Sequence, residues 1–298
     1  MSYMGRAVAF LIIGLASLAA MSPLARASRI QTDLSVDSKL LHKSIAYSVY
    51  IPDDPAPAGG WPVLYLLHGL NGNEQDWLKA GGVGEVLDEM IGGKTLPPMV
   101  VVMPMAGNSW YVDDARQTGL GPVATAMLSE FIPEVEKRYA IAGCRDARAI
   151  GGASMGGYGA LLYALERPDL FGAAISLSGS IFPEAKDLDP AREMLVVSLV
   201  RGVFGEPFSR ERYQAWNLFP KLRRLGSQAI KPVLFLAASD GDYPRQLLGA
   251  TTFQIAAISA GFKSELRVDN GSHSWRYWGR AIRPALSWLS GALPFRCQ

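Results

Sequence analysis

Ala147-Arg148-Ala149-Ile150-Gly151-Gly152-Ala153-Ser154-Met155-Gly156-Gly157-Tyr158-Gly159-Ala160 is the stretch on which the reading of this chain turns. A short apolar run at 149–150 enters a glycine-rich turn, and residues 158–166 then carry apolar side chains at helical spacing. Strand, tight turn and helix follow in direct succession. Gly152-Ala153-Ser154-Met155-Gly156 fits G-x-S-x-G, where flanking glycines permit a strained turn that lifts a serine hydroxyl clear of a sheet and points a helix N-terminus at it. A five-residue match alone also describes an ordinary turn, because glycine and serine are common turn residues. The flanking pattern, and the partners found downstream, make Ser154 the candidate nucleophile.

Working outward, residues 43–51 alternate apolar and polar side chains and stop at Pro52, which predicts a half-buried, antiparallel strand. Residues 61–67 form a nearly continuous apolar run, as does 99–103, and both suit strands buried on two faces. Residues 85–91 read as a helix, and 124–139 as a long amphipathic one despite Pro133. Further strands are expected at 173–177, 233–238 and 264–268, with helices at 245–260 and 282–289. Strands alternating with helices imply an α/β domain with a mostly parallel central sheet and helices on both faces. Residues 181–220 interrupt the alternation and read as an insertion over the active site; their aromatics suit either a pocket wall or a small satellite core.

The 298 residues, 49% of them hydrophobic, suffice for one large domain with a buried core. At the N-terminus Arg6 begins a weakly positive region, 7–21 is apolar but too short to span a bilayer comfortably, and Ala25-Arg26-Ala27 fits an A-x-A cleavage site. Residues 1–27 are therefore expected to be a signal peptide and 28–298 a single exported domain, periplasmic or secreted, with no membrane span after cleavage. The leader holds two of the 29 Lys+Arg and none of the 27 Asp+Glu, so the remaining chain is formally neutral. With no basic block either, nucleic acid is not an expected partner, and Lys221-Leu222-Arg223-Arg224 reads as a solvated helix face. The two cysteines, Cys144 and Cys297, match no metal-site spacing; in an exported protein they are either one disulfide or two free thiols. No metal or cofactor is expected.

A serine nucleophile needs a base, an acid to hold that base, and donors for the oxyanion. Of three histidines, His42 reads as a surface residue and His68 as part of a loop after a strand. His273 lies between the last strand pattern and the last helix, in the order serine, acid, histidine that this motif follows. The acid should follow the 233–238 strand, where Asp240 and Asp242 both stand. The expected oxyanion donors are the backbone N–H of Met155, directly after the nucleophile, and that of Leu70, in the loop after the 61–67 strand.

The segments Leu66-Leu67-His68-Gly69-Leu70, Gly152 to Ala160 with Arg167-Pro168-Asp169-Leu170-Phe171, and Gly271-Ser272-His273-Ser274-Trp275 with Tyr277-Trp278 resemble the esterase D-like putative esterase family. Its members include tributyrin esterases, S-formylglutathione hydrolases, feruloyl esterases and mycobacterial mycolyltransferases. The resemblance runs from about Lys43 to Leu289 and implies an α/β-hydrolase fold and a serine esterase mechanism. The family's acid usually precedes an aromatic or apolar residue, which singles out Asp242 before Tyr243. The implied function is an exported serine esterase that cleaves short-chain acyl esters or acylated carbohydrate through an acyl-enzyme. Its partner would be a small-molecule or glycan-linked ester. Two rivals are an acyltransferase of the same fold, passing the acyl group to a sugar, and a catalytically silent binding protein. A leader peptide argues against the formylglutathione substrate of cytosolic members.

Overall fold

The computed structural model describes residues 28–297 apart from Ala115, Gln117, Thr118 and Arg201; the expected signal peptide, 1–27, lies outside the described residues. In chain order the described strands and α-helices are β1 (Arg29–Ser38), β2 (Lys43–Ile51), β3 (Val63–Leu67), α1 (Asp76–Lys79), α2 (Val83–Gly92), β4 (Val100–Pro104), α3 (Val123–Ala126) and α4 (Ile132–Arg138). They continue with β5 (Arg148–Ala153), α5 (Met155–Glu166), β6 (Ala173–Leu177), α6 (Pro190–Val200), α7 (Arg210–Ala215) and α8 (Leu218–Gly226). The last four are β7 (Val233–Gly241), α9 (Pro244–Ser259), β8 (Ser264–Ser272) and α10 (Trp275–Ala292). The strands form one sheet in the order β1-β2-β4-β3-β5-β6-β7-β8, antiparallel from β1 through β4 and parallel from there on. This is the α/β-hydrolase architecture.

Successive side chains on a strand face opposite sides of the sheet, so a strand buried on both faces feeds two cores. In β3, Val63, Tyr65 and Leu67 join a core with α3 to α9, whereas Leu64 and Leu66 join a second core with α1, α2 and α10. The unbroken apolar runs read from the sequence are thus the consequence of helices on both faces. Parallel strands also set all their C-terminal ends on one edge, and the loops carrying His68, Ser154, Asp242 and His273 leave from that edge.

Four features depart from the sequence reading or resolve it. β1 is absent from the sequence reading although Ile30, Leu34 and Val36 fall on alternate positions among polar residues; it is an edge strand whose side chains are mostly exposed. The helix expected over 124–139 is divided: a wider, π-type turn at Met127–Phe131 separates α3 from α4, and Pro133 stands in the first turn of α4. Proline lacks an N–H and its ring crowds the carbonyl four residues back, which the wider turn relieves. The Lys221 cluster is a solvated face only at Arg223 and Arg224, which are exposed. Lys221 is buried, pairs with Glu166 and donates to the Ala215 carbonyl at 2.6 Å, while Arg223 and Arg224 pair with Glu184 and Glu166. Cys144 and Cys297 are joined in a disulfide, with 5.7 Å between their Cα atoms, which ties the tail beyond α10 to the segment before β5.

Residues 181–220 fold into α6, α7 and the start of α8. Phe182, Phe204 and Phe208 each pack on Tyr213 and join the core shared by α3 to α9, so neither a separate satellite core nor a simple pocket wall describes them, and Phe219 faces an apolar groove.

Candidate active site

Ser154 stands at the junction of β5 and α5 with φ 56° and ψ −116°. A non-glycine residue held in such a sparsely populated region costs on the order of 1–3 kcal/mol and persists only where its surroundings enforce it. Here three backbone hydrogen bonds do so. Ser154 N–H donates to the Leu177 carbonyl at 2.8 Å, and its own carbonyl accepts from Tyr158 N–H at 3.1 Å and Ser180 N–H at 3.2 Å. The flanking glycines are a matter of space: a Cβ on Gly152 would come within 2.5 Å of the Gly156 backbone, and one on Gly156 within 2.4 Å of the Leu67 oxygen. The serine hydroxyl is thereby presented to a cavity of about 370 Å³.

His273 lies on the short link between β8 and α10. Its Nε2 is 2.9 Å from Ser154 Oγ and its Nδ1 is 2.7 Å from Asp242 Oδ1. In the neutral tautomer this network selects, Nδ1–H donates to the carboxylate and Nε2 accepts the serine proton. The imidazole is held between the Tyr243 ring, 5.1 Å away, and the edge-on Trp278 ring at 4.9 Å; Trp278 packs in turn on Trp275, and Trp275 on Trp77.

Both candidate acids leave the end of β7, but only Asp242 reaches the imidazole. Its side chain is fully buried, whereas Asp240 is exposed and accepts the Gly271 N–H at 3.0 Å. Burial on its own raises the Asp242 pKa. The hydrogen bond from His273, the nearby Ser178 hydroxyl, the charge of His273 and the Tyr243 N–H outweigh it only together, and hold the carboxyl below its ordinary range. A carboxylate that stays ionised beside the ring fixes the tautomer and stabilises an imidazolium.

Gly69 and Leu70 line the same cavity, and a Cβ built on Gly69 would lie 3.6 Å from Ser154 Cβ, so this loop passes close beside Ser154. Met155 is the first residue of α5, at the positive end of the helix dipole. The backbone groups proposed from sequence as oxyanion donors therefore belong to the two segments that enclose the hydroxyl.

What sequence reading missed is how the Leu70 loop is held. His68 is buried, donates from Nδ1 to the Gly69 carbonyl at 2.7 Å and accepts the Ala106 N–H on Nε2 at 3.0 Å. Burial lowers its pKa, which keeps it in the neutral form these two bonds require. Tyr111 Oη donates to the His68 carbonyl at 3.0 Å, and Asn71 and Asn108 exchange bonds of 2.7 and 3.0 Å. Nothing in the 105–112 segment advertises this clamp, since asparagine and tyrosine in a loop form no motif. Trp77 is buried with its Nε1–H on the Leu67 carbonyl; Trp110 is buried too but borders the cavity. Among the described residues, no group of three or more His, Cys, Asp or Glu side chains could hold a metal ion, and no helix is long and apolar enough to cross a membrane.

A family model described as putative esterase matches residues 38–289. An acetyl esterase of Caldicellulosiruptor saccharolyticus is 27% identical over 267 residues, covering 85% of this chain and 95% of that one. An endo-1,4-beta-xylanase/feruloyl esterase of Xylanibacter ruminicola is 31% identical over 135 residues, 44% of this chain and 18% of that protein. An esterase of Mycobacterium tuberculosis is 34% identical over the same length and is matched over 28% of its own. This chain thus spans less than a third of the first curated relatives it matches. A solved ferulic acid esterase superposes with a TM-score of 0.68 at 26% identity, covering 90% of this chain and 99% of that one.

Proposed function

This chain belongs to the putative esterase family, and we propose that it hydrolyses carboxylic esters through an acyl-enzyme, with Ser154 as nucleophile, His273 as base and Asp242 as the carboxylate that orients it. The observation that carries this reading is the unbroken line of hydrogen bonds, 2.7 Å from Asp242 to His273 and 2.9 Å from His273 to Ser154, ending at a hydroxyl that borders a cavity. As Ser154 Oγ attacks the ester carbonyl its proton passes to His273 Nε2, and the imidazolium formed is stabilised by Asp242. The carbonyl oxygen, now an anion, is received by the N–H groups of Met155 and Leu70. His273 then protonates the leaving alcohol, and water, deprotonated by the same nitrogen, releases the acid and restores the serine. No cofactor takes part.

The names of the relatives, acetyl and feruloyl esterase, support a small-molecule or glycan-linked ester as substrate. Export to the periplasm or medium is part of the proposal and rests on the Ala25-Arg26-Ala27 site and the apolar run before it. The test is hydrolysis of p-nitrophenyl acetate and butyrate by residues 28–298, with Ser154→Ala in parallel. Release of nitrophenol that disappears in the variant supports the reading. Folded protein inert on both esters, or equal turnover by the variant, refutes it.

A further inference from the structure

A second cavity, of about 460 Å³, adjoins the one at Ser154, and the two share Ser180, Arg245 and Gln246 as walls. It is a groove between α6 and α9. Leu195 and Val196 face it from one helix, Leu248 and Ile255 from the other, and Ile181 and Phe182 form its floor. That floor is continuous with the nucleophile: Ser180 N–H donates to the Ser154 carbonyl at 3.2 Å, and the chain runs from there straight into the groove. The close fit of α9 on the floor depends on Gly249, where a Cβ would stand 2.5 Å from the Ile181 oxygen. Charged side chains, Glu184, Asp187 and Arg192, appear among the lining residues from the loop before α6 and its first turn.

The helices that make the groove are unusual for a surface. Of the residues lining the groove, Leu195 on α6 is 42% exposed, and Leu248 and Ile255 on α9 are 63% and 62% exposed. Clustered apolar side chains left in water beside a site mark a place where apolar matter binds. From Gln246 to Ala256 the α9 wall is about 15 Å long at 1.5 Å per residue.

We infer that this groove is the acyl subsite and that it takes an unbranched hydrocarbon chain of medium length, entering past Ser180 from the carbonyl held at Ser154. The inference rests on the esterase reading and specifies its substrate: the enzyme prefers medium-chain acyl esters to acetates. Each methylene buried along the groove raises kcat/KM by up to roughly fourfold, until the chain outruns the apolar wall.

The test compares p-nitrophenyl acetate, butyrate, octanoate and decanoate on the wild type, on Thr252→Trp, which fills the groove from an exposed position outside the Ser154 cavity, and on Leu248→Asp, which makes its wall polar. Expected are a rise of at least about tenfold from butyrate to octanoate, well within the per-methylene limit, its loss in both variants, and little change on acetate. A flat chain-length series, or variants that lower every ester equally, overturns the inference. So does a preference for octyl acetate over methyl octanoate that Thr252→Trp removes, because the groove would then hold the alcohol. Binding of decanoic acid to Ser154→Ala, followed by isothermal titration calorimetry, separates the two readings. Binding that Thr252→Trp abolishes, with no ester cleaved by the wild type, sinks the esterase reading and retains the hydrocarbon site. Acetate hydrolysis without such binding sinks the groove alone.

Discussion

Replacing Asp242 by asparagine removes one charge and almost no volume from the site, which makes the size of its effect calculable. Oδ1 receives both the His273 Nδ1–H at 2.7 Å and the Tyr243 N–H at 2.8 Å. An amide oxygen in that place keeps both bonds, so the serine, the imidazole and the backbone stay where they are. What is lost is the attraction between the carboxylate and the imidazolium formed during attack, about 4 kcal/mol for unit charges about 4 Å apart at an effective dielectric of about 20. That corresponds to roughly 10³ in kcat. If the amide instead turns its NH₂ to the ring, Nδ1 becomes the acceptor, Nε2 carries the proton and can no longer take one from Ser154, and the loss approaches 10⁴. The expected result for Asp242→Asn is thus a fall of about 10³–10⁴ in kcat on p-nitrophenyl butyrate with KM little changed. Asp240→Asn, two residues away, touches only the Gly271 N–H from an exposed position and should cost less than about tenfold. Steady-state kinetics on both proteins, with circular dichroism to verify folding, decides. Equal losses in the two variants, or a fall below tenfold in Asp242→Asn, would refute the assignment of the acid.

The same carboxyl should leave a mark on acid stability. Its folded pKa lies below the ordinary value, so the stabilisation it supplies is complete above about pH 4 and is lost as pH falls through the folded pKa. Unfolding free energies of wild type and Asp242→Asn should therefore converge as pH falls from 5 into stronger acid; a gap unchanged between pH 5 and pH 3 would contradict this. Cys144→Ser opens a loop with a sequence separation of 153; the chain-entropy relation gives about 5 kcal/mol as its ceiling, and thermal melts should fall by roughly 5–15 °C. Arg148→Met strips Glu136 of its buried bidentate partner, held at 2.6 and 2.7 Å, and should cost about 3–5 kcal/mol in urea unfolding while kcat of the folded protein is retained. His68→Leu frees the loop that carries Leu70 and should lower kcat by about 10² with KM nearly unchanged; a change confined to KM would show that the loop serves binding and not the oxyanion.

Much of this molecule is written locally. The G-x-S-x-G turn around Ser154 is spelled within a single strand-turn-helix unit, although Gly152 is fixed by a contact inside that unit and Gly156 by the Leu67 carbonyl of β3, and the apolar runs at 63–67 and 100–104 report burial on both faces whatever their neighbours are. Sequence alone therefore determined the α/β alternation, the strained serine and the place of His273 after the last strand. Other features depend on what approaches from elsewhere in the chain. Asp240 and Asp242 are equivalent in composition and nearly so in position; only the end of β7 lying beside that of β8 turns one into the imidazole and the other into solvent. Lys221 reads as a surface charge until Glu166, 55 residues earlier, meets it. The groove between α6 and α9 is likewise assembled from distant parts, with α9 seated through Gly249 on a floor supplied by residues 181 and 182. A turn motif and two-faced burial are written in a few adjacent residues, and so are legible in order. Pairing, burial of charge and the shape of a cavity are sums over contacts distant in sequence, and only the folded chain decides them.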